Sequence, residues 1–131
     1  TVRSTEPVTL EFEYKLDAPI TGLRIGIYVS TMRGEYVFAS FDTDDPALYD
    51  KFDSRTAGRY ISRAEIPADI FNDSRYTVGV NASSFGVRRY FMDENALAFT
   101  VDISGAPGTQ WAEPRVGPVR PRLAWKIEKI D

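Results

Sequence analysis

Apolar residues recur at every second position along most of this chain. Val8, Leu10, Phe12, Tyr14 and Leu16 alternate with Thr9, Glu11, Glu13 and Lys15, the pattern of a strand with one face buried and one in water. Leu23, Ile25, Ile27 and Val29 repeat it, with Arg24, Gly26 and Tyr28 on the opposite face. A turn at Arg33-Gly34 leads into Tyr36–Phe41, so these two segments predict a hairpin. Tyr60–Ile66 predicts a fourth strand stopped by Pro67, and Tyr76, Val78 and Val80 open a fifth. Arg89–Met92 predicts a short sixth strand. Leu97, Phe99, Val101 and Ile103 predict another, and Arg122–Lys129 the last, with Leu123, Trp125 and Ile127 in step. Helical signals are confined to Asp45-Pro46 before Ala47–Phe52, an N-cap aspartate followed by proline, and to Pro67–Phe71. Seven or eight short strands separated by turn residues predict an all-β fold, an antiparallel β-sandwich.

Ser104 to Pro121 breaks the pattern. Four of the eight prolines fall there with Gly105, Gly108 and Gly117, so 104–121 reads as a linker before the last strand, 122–129. A strand on such a tether can complete its own sheet or that of a second copy, which makes a homodimer by exchange of the C-terminal strand a natural expectation. Trp125 is in phase with Leu123 and Ile127 and is expected in the core. Trp111 is expected to pin the linker to the body.

Composition then removes whole classes of chemistry. The 131 residues are the size of one domain, 1–131. Cysteine and histidine are absent, which excludes disulfides, thiolate nucleophiles, Ser-His-Asp triads and the common zinc and iron ligand sets. A net charge of −3 argues against a nucleic-acid binder. Asp42, Asp44, Asp45, Asp50 and Asp53 lack the offsets and the bidentate glutamate of a calcium loop, so they read as a solvated acidic loop with no metal. No pair of acids stands out for glycoside hydrolysis. The sequence predicts no enzyme and no cofactor.

The candidate site lies on the outward faces of strands two and five. Gly26 shares the parity of Arg24 and Tyr28, and Gly79 that of Thr77, Asn81 and Ser83. Glycine in a strand marks a bulge or a close approach to the backbone. If the two strands are neighbours, the glycines leave a bare floor flanked by Arg24, Tyr28, Asn81 and Ser83, and sugars bind on such floors through ring stacking and hydrogen bonds. The alternative is that both glycines serve only bulges or twist. Arg89 and Tyr90, beside Phe85, Arg88 and Phe91, are expected at the rim, or else as a hairpin filling the core edge. Arginine there would suit an acidic or phosphorylated terminus.

The order of segments adds a resemblance. A long first strand is followed by Leu23-Arg24-Ile25-Gly26-Ile27-Tyr28 and a hairpin, then by a Tyr60-to-Pro67 strand and Ser74-Arg75-Tyr76-Thr77-Val78-Gly79-Val80. Asp93 and Ala96–Val101 come next, and Val119-Arg120-Pro121-Arg122-Leu123-Ala124-Trp125 closes the chain. This order resembles the C-terminal domain of the ATP-binding subunit of O-antigen polysaccharide ABC transporters, the Wzt type. The resemblance implies an immunoglobulin-like sandwich that follows an N-terminal ATPase domain. It implies binding of the non-reducing terminus of a lipid-linked polysaccharide at the cytoplasmic face of the bacterial inner membrane, and a transporter membrane subunit reached through the ATPase. No phosphate-binding Gly-x-x-x-x-Gly-Lys motif is present, and the start without methionine fits a fragment lacking that ATPase. The competing expectation is a structural or protein-binding, fibronectin-like domain, which would expose a contiguous apolar patch.

Overall fold

The computed structural model describes residues 1–111 and 113–130. Its strands are β1 (Val2–Arg3), β2 (Val8–Leu16), β3 (Ile20–Thr21), β4 (Leu23–Thr31), β5 (Tyr36–Phe41), β6 (Ser54–Arg55), β7 (Gly58–Ile66), β8 (Arg75–Ser84) and β9 (Arg88–Asp102), with a 3-10 turn at Asp42–Asp44 and an α-helix, α1 (Pro46–Phe52). Asp45 caps α1 by accepting a hydrogen bond from the Ala47 amide at 2.9 Å, with Pro46 in the first turn. Pro67–Phe71 forms no helix; Phe71 instead bridges to Val119.

Five strands form one sheet in the order β1-β9-β8-β4-β5, antiparallel except for the short β1–β9 pair. β2 and β7 pair along nine residues as the facing layer, and β3–β6 is a two-residue ribbon. Alternation is what closes the sandwich. Ile27 and Val29 from β4, Tyr76 and Val78 from β8, and Phe99 and Val101 from β9 meet Leu10 and Ile66 of the other layer. Each such side chain contributes roughly 1.5–3 kcal/mol by leaving water. The predicted sixth and seventh strands are one long β9, bent at two irregularities opposite β8, so a bulge stands where the sequence suggested a break.

Three expectations change at the C-terminus. The segment 104–121 is no free tether: Asn72 Nδ2 donates to the carbonyls of Arg115 (2.9 Å) and Gly117 (2.8 Å), and the Arg120 amide donates to Ile70 O (2.8 Å). Tyr76, fully buried, donates its hydroxyl to Pro118 O at 2.7 Å and accepts from the Asn72 amide at 3.1 Å. Trp111 is exposed, so the pinning falls to Asn72 and Tyr76. Residues 122–130 pair with no strand of their own chain, and Trp125 is 83% exposed rather than in the core. Its alternation with Leu123 and Ile127 is real, yet it has no sheet of its own to face.

Burial pushes the Tyr76 hydroxyl above its usual pKa of 10.0, against the smaller lowering effect of its bond to Asn72. A raised folded-state pKa means that Tyr76 supports the fold fully below pH 10 and that this support is lost as pH rises beyond it. Tyr76→Phe should therefore cost about 1–3 kcal/mol at neutral pH by orphaning the Asn72 amide and Pro118 carbonyl. It should also flatten the alkaline fall in stability, as read by urea unfolding at neutral pH and above 10.

Candidate functional site

The outward face of the five-stranded sheet carries a groove. Tyr28 and Gly79 are direct cross-strand partners on β4 and β8, so the sheet is bare beside a tyrosine ring. On the far side of β8 the pairing jumps from Val78–Leu97 to Val80–Asp93. Glu94, Asn95 and Ala96 are thereby set against Gly79 alone. The bulge presses so close that a Cβ on residue 79 would lie 3.1 Å from the Glu94 carbonyl oxygen and 3.3 Å from that of Asp93. Asp93 fixes the turn by accepting the Asn95 amide at 2.9 Å. Across β4, an irregularity between Val29 and Ser30 sets Tyr36 opposite Ser30.

The walls are Tyr28, Ser30 and Tyr36 on one side and Thr77, Glu94 and Asn95 on the other, around about 240 Å³. The Tyr28 and Tyr36 rings stand 5.9 Å apart at 57°, an open angle rather than a closed stack. The volume lies below the roughly 300–1,000 Å³ of pockets for drug-sized ligands, so the groove suits one small ring. Asp93 and Glu94 supply acceptors, with no arginine or lysine among the lining residues. That balance favours a neutral, hydroxyl-rich ligand over an acidic or phosphorylated one.

Six side chains were expected to form the site, and they divide. Tyr28 lines the groove. Arg24, Asn81 and Ser83 share its face and lie further along the sheet, where Arg24 opposes Ser83 and Ser83 opposes Arg89. The floor expected at Gly26 is not bare. The Phe41 ring occupies the space a Cβ would need, and the Arg24 guanidinium stacks on that ring at 3.9 Å and on Phe85 at 4.8 Å. Arg24 is thus held by aromatic faces, with Nε covered and unpartnered. Asn81 is only 8% exposed and its Oδ1 likewise has no partner. Tyr90 sits in the second irregularity of β9, with the Arg88 guanidinium 5.0 Å above its ring.

Both glycines therefore mark close approaches, Gly26 of a ring and Gly79 of a strand bulge, and only Gly79 leaves open space beside it. Ser30, Tyr36, Thr77, Glu94 and Asn95 were missed from sequence. Tyr36 was within reach, because the hairpin already set it across from the Tyr28 strand.

The architecture is an all-β sandwich of the immunoglobulin-like kind. No protein-family model matches the chain, and no curated protein matches it. Among solved structures, the crystal structure of the C-terminal domain of Wzt superposes with a TM-score of 0.69 over 98% of this chain and 74% of that one, at 9% sequence identity. At that identity the likeness is one of fold, and it is the fold expected from the order of segments. Among the described residues, no helix is long and apolar enough to cross a membrane.

Proposed function

We propose that this domain is a non-catalytic carbohydrate-binding module that takes the terminal sugar of a polysaccharide into the groove beside Gly79. The observation that carries the reading is the groove itself: two tilted tyrosine rings, hydroxyls and acidic residues around the bare backbone of Gly79. A pyranose ring has an apolar face for Tyr28 or Tyr36 and hydroxyls for Ser30, Thr77, Glu94 and Asn95. Hydrolysis has little support, because Asp93 and Glu94 are neighbours on one bulge, whereas glycosidases set two acids on either side of the scissile bond. The likeness to the Wzt domain supports a place in polysaccharide export, behind an ATPase at the cytoplasmic face of the inner membrane, where the domain would select the non-reducing terminus of a lipid-linked O-antigen. Calorimetric titration of the domain with its host's own polysaccharide tests this reading. Saturable binding is expected, and none at all would move recognition to a protein partner.

The tail supports a second copy of the chain as partner. Leu123, Trp125 and Ile127 are exposed on a segment that pairs with no strand among the described residues. An apolar seam runs between the edges of β5 and β7, walled by Ile27, Phe38, Ala64, Ile66 and Ile70. The tail of one protomer laid along the seam of its partner would cover both. Sedimentation of the full chain should then give twice 14.8 kDa, and a chain ending at Pro121 should sediment as a monomer. Equal behaviour of the two would remove the tail from the interface.

A further inference from the structure

Gly108, Arg115, Arg120 and Arg122, closed by Leu123 and Trp125, build a second recess, of about 180 Å³, that shares no residue with the groove. Arg115, Arg120 and Arg122 enter its wall together with Ser4, Gly108 and Asp69. Gly108 has φ +88, a conformation that side-chain-bearing residues rarely adopt, and this bare bend brings two guanidiniums over one point. A Cβ there would collide with Arg115 Nη2 and would lie 3.2 Å from Arg120 Nη2.

The backbone behind these arginines is fixed by the body of the domain. Asn72 holds the carbonyls of Arg115 and Gly117, and Ile70 holds the amide of Arg120. Arg120 also donates Nη2 to Pro107 O at 3.0 Å. Its Nε, however, is covered and has no partner among the described residues, and neither has the hydroxyl of Ser4, a residue only 5% exposed. Both groups can donate, and both lack an acceptor. Asp69 is the one acid in the wall, and among the described residues it forms no ion pair with the three arginines. Three positive charges against one negative leave the recess with a net charge of +2, and two like charges sit side by side. An anion between the Arg115 and Arg120 Nη groups relieves that repulsion.

We propose that this recess is a binding site for a phosphoryl group. A phosphoryl group offers three terminal oxygens against the two of a carboxylate, which matches donors arriving from three guanidiniums. The group can come as free phosphate or as part of a sugar phosphate, and the recess recognises what the two share. It stands apart from the proposed glycan groove and does not rest on that reading.

The test follows the Arg120 Nε–H resonance in ¹⁵N spectra of the whole chain as inorganic phosphate, glucose 1-phosphate or glucose is added. Both phosphates should move that resonance saturably, because the Nη groups of the same guanidinium gain a charged acceptor, and glucose should not. Tighter binding of glucose 1-phosphate than of phosphate would support a sugar phosphate as the ligand; equal binding would support the free anion. Arg115→Gln should weaken the affinity tenfold or more. If Arg115→Gln disturbs the fold, Arg122→Gln at an exposed side chain replaces it, with a several-fold loss expected. Tyr28→Ala should leave the phosphate response unchanged, so failure here is distinct from failure of the groove. No saturable shift at tens of millimolar phosphate, or one of equal strength in all the recess variants, would overturn the proposal.

Discussion

Arg55→Ala is expected to remove about 3–5 kcal/mol of unfolding free energy, the range for breaking one partner out of a buried ion pair. The Arg55 side chain is 2% exposed and pairs with Asp42 at 3.0 Å. It also donates to Tyr14 Oη at 2.6 Å, Leu23 O at 3.1 Å and Phe52 O at 3.1 Å. Asp42 in turn accepts from the Ile25 amide and from Ser62 Oγ, each at 3.1 Å. One guanidinium thus ties β2 of one layer to β4 of the other and to the end of α1. Removing it leaves the part-buried Asp42 carboxylate without its counter-charge and the Leu23 and Phe52 carbonyls without this donor. Against a total stability of roughly 5–15 kcal/mol, that is a fifth of the fold or more. The double variant Arg55→Met with Asp42→Asn should lose less than Arg55→Ala, because no charge is left behind. Urea unfolding reads both, as a lower midpoint at constant slope. A loss below about 1 kcal/mol for Arg55→Ala would mean that water satisfies the network and that the layers are held by apolar packing alone.

Tyr28→Ala is expected to reduce glycan affinity by roughly 30-fold or more, the scale of a central aromatic contact worth about 2 kcal/mol. The ring stands over the groove beside Gly79, meets Phe41 edge-on at 5.9 Å and leans towards Tyr36. Its loss takes away a stacking surface and also frees Tyr36 to reorient. The side chain lies outside the sandwich core, so the cost to folding should stay near the ordinary 1 kcal/mol of a surface-facing strand residue. Tyr28→Phe keeps the ring and should keep most of the affinity. Equal affinity in the wild type and Tyr28→Ala would place the glycan elsewhere on the domain.

What could be read from the sequence follows from how local each feature is. Alternation of period two is written into β2, β4, β8 and the end of β9 residue by residue, so the strands, the hairpin at Gly34 and the capped helix at Asp45 were legible. The outward face of β4 and β8 was legible for the same reason, and Tyr28 with it. The bulge at Glu94–Ala96 was not, because it arises from a slip in register between two strands and leaves no periodic mark. Nor could Phe41 be seen to cover Gly26, since that needs the β4–β5 register. The aspartates at 42–45 looked like a solvated loop. In the structure Asp42 joins the Arg55 network, Asp44 accepts the Phe41 amide and Asp45 caps α1. Composition alone does not separate a solvated carboxylate from a capping one. The tail 122–130 has the alternation of a strand yet pairs with no strand among the described residues, so local pattern by itself does not place it.

The central claim is that the groove beside Gly79 reads a glycan end. Titration calorimetry of the domain with its host's polysaccharide, intact and with the non-reducing terminus trimmed, tests it most directly. Saturable heat with the intact polymer, lost both on trimming and in Tyr28→Ala, is the predicted result. Binding that survives trimming undiminished, or no binding to either polymer, would contradict it.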